Sequence, residues 1–250
     1  MPLIGPDDQP SLDADTAVVD GREVPSERVP LDRSRIVAAG IDYVDSHGLT
    51  GLTMRRLGAD LGVEAMSLYR YISGRDELLA SIVEHVIAEV EQDPDIVVAP
   101  EHGWQDFLQR LAHGFRRVAL AHPHIFPLVA SHPTEAPWIR PPVRSLKFVE
   151  LFLDGLHREG FSDEMAVAAY RAFTSFLLGH LLLEVSTMGA AFGPLDFVHP
   201  QIGPTPGLDN YPNVARLGDA LSEDQSVTEF EESLEQLLDR LAQVLAATDG

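Results

Sequence analysis

Apolar residues recur at helical spacing along most of this chain. Between Leu31 and His47, the positions Ile36, Val37, Ile41 and Val44 repeat every three or four residues. Asp32 suits the N-cap of such a helix and Gly48 its stop. Leu57 and Leu61 lie four apart on one face, with Thr53 placed to cap their helix. Gly62 then permits the backbone of a sharp turn, after which Val63 and Leu68 can face one small core. Ala65, Met66, Ser67, Arg70 and Tyr71 are left pointing outward. Two short helices, a tight turn, and an outward face of small, polar, basic and aromatic residues fit a helix-turn-helix entering a major groove. An ordinary surface hairpin of helices is the plainer alternative.

Downstream the pattern stays helical. A helix from Asp76 to about Gln92, acidic at its first turn, carries Leu79, Ile82, Val83, Val86, Ile87 and Val90 as one stripe. Pro94 and Pro100 bound an expected linker. Trp104 to about Ala121 is the next helix, with Phe107, Leu108, Leu111, Phe115 and Val118 inward. His122-Pro123-His124 breaks it, a short piece follows from Phe126 to Ser131, and 132–137 reads as a loop. Pro141 to about Glu159 is predicted helical, with its prolines in the first turn and Gly160 as its end. Ser162 caps a long helix that is apolar almost all round and therefore buried on every side, inside the subunit or against a second copy. Residues 189–213 are rich in Gly and Pro and read as a loop, and a short helix is expected from Asn213 to Leu221. The final helix is capped by Ser226 or Thr228, the latter with Glu231 at capping-box spacing; its stripe is Phe230, Leu234, Leu237, Leu238, Leu241 and Leu245. No repeat and no strand emerges, so the expected fold is all-α.

Composition refines this picture. The chain has 250 residues, 45% hydrophobic and 23% charged, ordinary values for a globular fold with a substantial core. No run of 18 or more apolar residues occurs, and the first residues lack the basic flank and apolar core of a signal peptide. Cys is absent, compatible with a cytoplasmic protein. The net charge of −21 opposes DNA binding at first sight, but its distribution does not. Residues 1–30 hold seven acids and two bases, 31–76 hold six of each, and 77–250 hold 26 acids against ten bases. The helix-turn-helix region is the least acidic part. Three domains are expected: a disordered acidic arm at 1–30, a helix-turn-helix domain at 31–76, and a larger helical domain at 77–250, to which the resemblance described next assigns ligand binding and dimerisation.

The stretches Gly51-Leu52-Thr53-Met54-Arg55, Leu61-Gly62-Val63, Leu68-Tyr69 and Arg75 to Leu79 resemble the tetracycline-repressor (TetR) family of transcriptional regulators. The resemblance continues through Trp104 to Leu108, Phe115-Arg116-Arg117, Pro133-Thr134-Glu135, Gly160-Phe161-Ser162 and Gly179, so it covers roughly 31–188 and, more loosely, the last helix. It implies a three-helix DNA-binding domain ahead of a larger helical domain. That larger domain would take a small molecule and pair with a second copy through helices at about 163–188 and 228–246. Phe173, Leu177, Leu181, Leu234, Leu238 and Leu241 are the expected dimer stripe. The implied partners are double-stranded DNA with a palindromic operator, a small effector and a second copy, with no membrane. The resemblance places Thr53, Arg55, Met66, Ser67, Tyr69, Arg70 and Tyr71 on DNA. Arg55 suits guanine, Met66 a thymine methyl, and Tyr69 and Arg75 phosphates.

In tetracycline repressors, polar and metal-binding side chains hold the drug with its Mg²⁺. By the resemblance their places here fall at Leu111, Leu128, Phe152 and Leu183, and only Phe115 keeps the family's side chain. Leu and Phe cannot ligate a hard cation, so no metal and no cofactor is expected. A pocket lined by Phe107, Leu111, Phe115, Phe148, Phe152 and Phe176 would suit an apolar or aromatic ligand; the alternative is that these rings are simply core. His180 either meets the ligand or is a satisfied core histidine. His122 and His124, flanking Pro123, are expected to be solvated. No phosphate-binding loop or nucleophile elbow occurs, and catalysis has no positive support. The expected function is a ligand-responsive repressor, in which a ligand behind Phe115 and Phe152 tilts the helix starting near Asp76 through Val83 or Ile87. A small-molecule carrier or helical enzyme without DNA binding is the alternative.

Overall fold

The computed structural model describes residues 18–19, 22–23, 30–97, 102–131, 138–139, 145–190, 207 and 210–248. The chain divides into two compact units, Met1–Asp32 and Arg33–Gly250. In the first, strands β1 (Val18–Val19) and β2 (Arg22–Glu23) pair antiparallel, Val19 opposite Arg22. This pairing was not anticipated from sequence. The rest of the expected disordered arm lies almost wholly outside the described residues.

The second unit is helical throughout its described residues. It begins with α1 (Arg33–His47), a 3-10 turn at Leu49–Gly51, α2 (Met54–Asp60) and α3 (Ala65–Leu68). Ile36, Val44, Leu57 and Leu68 are each 0% exposed, so the three helices share one small core. Thr53 caps α2 as expected, its Oγ1 accepting from the Arg56 amide at 3.2 Å. Gly62 sits at φ +67° in the turn between α2 and α3, where a side chain would be strained. Gly58 makes the turn close. A Cβ there would lie 3.0 Å from the Val63 carbonyl and 3.2 Å from Ala65 Cα.

Helix α4 (Arg75–Gln92) packs on α1, and further along on α6 and α7. The boundary expected at 76/77 therefore falls inside a continuous helix. The expected linker contains a helical turn, α5 (Pro94–Val97), whose Ile96 is buried. Then come α6 (Trp104–Ala121) and α7 (Phe126–Ser131), as read from sequence. The 132–137 loop lies outside the described residues. Helix α8 (Leu146–Arg158) is capped by Ser145, whose Oγ accepts from the Phe148 amide at 3.1 Å; the Pro141-Pro142 pair expected in its first turn lies outside the described residues. Helix α9 (Asp163–Thr187) is capped by Ser162, whose Oγ accepts from Met165 at 3.3 Å.

Within one chain, helix α9 is not buried on every side. It is long and apolar enough to cross a membrane by composition alone, but one face packs on α6, α8 and α11, and Val167 and Leu183 stand out at 40% and 72% exposed. Most of 189–213 is outside the described residues. Helix α10 (Pro212–Ser222) buries none of its residues. Helix α11 (Ser226–Thr248) starts at Ser226 itself rather than being capped by it, and Asp224, two residues before, accepts from the Ser226 amide through Oδ1 at 3.1 Å. That bond holds the Asp224 carboxyl below its ordinary range.

Candidate DNA-reading head and effector cavity

The reading head is built around the 3-10 turn that precedes α2. Three side chains from three helices converge on its carbonyls. Tyr43 of α1 donates its hydroxyl to Gly51 O at 3.1 Å, and Arg56 of α2 donates to the same oxygen at 3.0 Å. Arg75 of α4 donates through Nε to Leu52 O and through Nη2 to Leu49 O, each at 3.1 Å. Leu49 O also accepts from the Leu52 amide at 3.3 Å; the side chains add partners for the remaining acceptor capacity of a partly buried turn. They fix the point from which Thr53 launches α2. The Arg75 guanidinium, expected to grip phosphate, thus also braces the scaffold, and the residue stays exposed.

What faces outward agrees with the sequence reading. Met66 is 73% exposed, and Thr53, Arg55, Tyr69, Arg70 and Tyr71 are also exposed, while Ser67 is half-buried. Arg55 and Arg70 make no ion pair among the described residues. A second brace joins α1 to the start of α4. Glu77 accepts from the Ser73 amide at 2.7 Å and from Arg33. Hydrogen bonds from Ser73, then Arg33, hold the Glu77 carboxyl at about 2, below its ordinary 4.5.

Below the head lies a cavity of about 150 Å³. Its walls are Val86, Ile87 and Val90 of α4, Ile96 of α5, Phe115 and Val118 of α6, Phe126, Val129 and Ala130 of α7, Phe148 and Leu151 of α8, and Leu178 of α9. One edge is polar. There Ser145 donates its hydroxyl to Glu91, and the Lys147 ammonium lies 3.4 Å from the other Glu91 oxygen. Rings surround the site: Phe115 and Phe148 meet edge to face at 4.9 Å.

Of the sequence-predicted ligand residues, the structure brings only Phe115 and Phe148 to this cavity. Phe107, Leu111 and Phe152 are 0% exposed and fill the core among α6, α8 and α9. Leu128 is half-buried on α7 and outside the lining, and Leu183 is 72% exposed on the outer face of α9. Phe176 and His180 pack instead on Phe230 of α11, ring centroids 5.9 and 5.2 Å away. Ile87 lines the cavity as expected, whereas Val83 is wholly buried beside it. The missed residues come chiefly from α4 and α7, whose inward stripes were visible but not which void they faced.

His180 is neither a cavity residue nor a satisfied one: its Nε2 is buried without a hydrogen bond, 4.0 Å from Glu184. Glu184 is spoken for by Arg116, whose Nε donates to it at 3.0 Å and whose Nη2 completes a bidentate pair, with the guanidinium 5.2 Å above the Phe230 ring. This polar knot pins α6, α9 and α11 together. Among the described residues no group of three or more His, Asp and Glu could hold a metal ion.

Known proteins match this geometry. Residues 98–245 match the family model for the tetracyclin repressor-like C-terminal domain. The HTH-type transcriptional repressor DrrR1 of Streptomyces coeruleorubidus is 30% identical over 155 residues, which cover 62% of this chain and 53% of that protein, so the chain spans about half the length of that relative. A structure titled as a possible TetR family transcriptional regulator from Streptomyces coelicolor A3(2) superposes with a TM-score of 0.65 at 29% identity, covering 85% of this chain and all of that one. The S. coelicolor TetR family protein ActR in complex with actinorhodin does so with a TM-score of 0.60 at 25% identity, covering 85% and 96%. With the family's C-terminal domain matched over more than half of its length, and its fold superposing on those regulators, this chain belongs to the tetracycline-repressor (TetR) family.

Proposed function

We propose that the chain is a ligand-responsive, homodimeric DNA-binding regulator: a repressor released from a palindromic operator by a small apolar or aromatic molecule. One observation carries this reading. A single helix, α4, clamps the reading head with its first residue, Arg75, and walls the cavity three turns later with Val86, Ile87 and Val90. A ligand pressing on those residues acts on a rod whose other end sets the pose of Thr53 and Arg55. Only differential affinity for the two poses would shift operator binding. A carrier would need neither the outward Arg55, Tyr69 and Arg70 nor their bracing.

The walls suggest the effector's chemistry. A cavity of about 150 Å³ lined by aliphatic and aromatic side chains accepts a benzene-sized ring. A larger molecule would extend over the polar edge at Glu91. The relative ActR has been captured with actinorhodin, which supports an aromatic organic ligand. A hard cation needs several oxygen or imidazole ligands, and the lining offers one carboxylate, Glu91, already bonded to Ser145. Mg²⁺-tetracycline does not fit this donor set.

The stripe expected to form the dimer face is buried within one chain. Phe173, Leu177, Leu181, Leu234, Leu238 and Leu241 are between 0% and 7% exposed within one chain, consumed by the packing of α9 and α11 on their own core. The outward side of α9, with Val167, Ser175, Gly179 and Leu183, is free to receive a second copy, and a Cβ at Gly179 would meet nothing within 4 Å. A gel shift with DNA flanking the protein's own gene tests the proposal. A specific shift is expected, and its absence on every flanking fragment would return the chain to the carrier reading.

A further inference from the structure

His122 sits at the C-terminal end of α6, in the bend leading to α7, and it joins three parts of the molecule. Its Nδ1 lies 2.7 Å from Oδ2 of Asp45, near the end of α1 in the reading head. Its Nε2 lies 3.1 Å from Oε2 of Glu89 on α4. The ring is 14% exposed. The cavity residues Val118 and Phe126 stand four positions before it and four after, so movement of either wall carries the imidazole with it. Resting on the regulator reading above, we propose that His122 is a proton-dependent tie between the effector cavity and the reading head, acting as a positioning residue.

The chemistry follows from which nitrogens carry protons. Only the imidazolium donates from both, so only it can hold Asp45 and Glu89 at once. The neutral ring donates to one carboxylate and turns a lone pair on the other. The other charged groups facing the cluster are His85 on α4, 3.6 Å from Glu89, and Arg117 on α6, which is paired with Asp93. The second oxygen of Asp45 is buried with no hydrogen-bond partner, so the bond to His122 is the one that satisfies this carboxylate. Losing it leaves the end of α1 without its anchor to α6. The tie runs beside the α4 rod and reaches α1 directly.

Amide hydrogen exchange on the whole chain, with 1-naphthol as the cavity probe, tests this without needing the operator. In the wild type, naphthol should change exchange both at 86–90 and at 42–47. In His122→Gln, naphthol should bind with unchanged affinity by its own fluorescence, and the change at 86–90 should persist. The change at 42–47 should fall at least fivefold. A change at 42–47 undiminished in His122→Gln would overturn the tie. A second arm varies pH from 6 to 8, corrected for intrinsic exchange. Protection of 42–47 should drop severalfold as pH rises in the wild type and stay flat in His122→Gln and in Asp45→Asn. Equal profiles in all three would overturn the proposal. If naphthol fails to bind the wild type, the cavity reading falls, and the pH arm alone decides the tie.

Discussion

Arg75 reaches back from the first turn of α4 to the carbonyl oxygen of Leu52, its Nε donating at 3.1 Å. The bond crosses from the helix that walls the cavity to the residue before the cap of α2. It makes Arg75 part of the frame of the reading head. Arg75→Ala is therefore expected to lower stability by about 1–3 kcal/mol, the range for charge-assisted hydrogen bonds. It should weaken binding to all DNA sequences alike. Chemical denaturation checks the first effect; normal stability with lost DNA affinity would return Arg75 to the phosphate role.

Arg55 is exposed and unpaired among the described residues, at the first turn of α2. Its fork of donors suits guanine O6 and N7. Arg55→Ala is predicted to cost about 1–3 kcal/mol of operator affinity and to relax preference at one base pair, with stability unchanged. Binding to a library of single-base operator variants reads this out, and uniform loss on every variant would refute base reading.

Glu77 gives a pH signature. Its carboxyl is held at about 2 in the folded chain against an ordinary 4.5. A depressed carboxyl contributes stability that is fully present above about pH 4.5 and is lost as pH falls toward 2. Glu77→Gln should thus melt earlier than the wild type at pH 7, with the gap closing in acid. Parallel melting curves from pH 7 to pH 2.5 would show that the brace to Ser73 and Arg33 contributes nothing.

Much of the reading head was legible because its signals are local. Thr53 caps α2 and Gly62 makes the turn within a few residues of the apolar pattern they serve. The cavity was less legible. Leu111 and Phe115 lie four apart on one face of α6, yet Leu111 faces the shared core and Phe115 a void. Periodicity separates inside from outside but does not say which inside. His122 was read as solvated because it sits beside Pro123 at a helix end. Its partners, Asp45 and Glu89, lie 77 and 33 residues away in sequence, where no local rule reaches. The dimer stripe failed for a related reason: an apolar face on α9 serves equally against its own chain or another.

The proposed dimer face yields its own test. Leu183 is 72% exposed in the single chain, so Leu183→Glu should leave the fold intact and prevent self-association. Leu177, 2% exposed, should behave oppositely, with Leu177→Ala costing about 2–5 kcal/mol of stability. Sedimentation velocity at micromolar concentration distinguishes them. A dimeric Leu183→Glu would place the interface elsewhere.

The central claim is that an organic ligand in the α4-walled cavity controls DNA binding without a metal. The most direct measurement is fluorescence anisotropy of a duplex from the region flanking the gene, titrated with aromatic compounds in the presence of EDTA. The prediction is that a compound which binds the protein lowers DNA affinity at least tenfold, and that Ala130→Phe, which fills the cavity, abolishes the effect. Release that occurs only with added Mg²⁺, or saturating ligand that leaves DNA affinity unchanged, would contradict it.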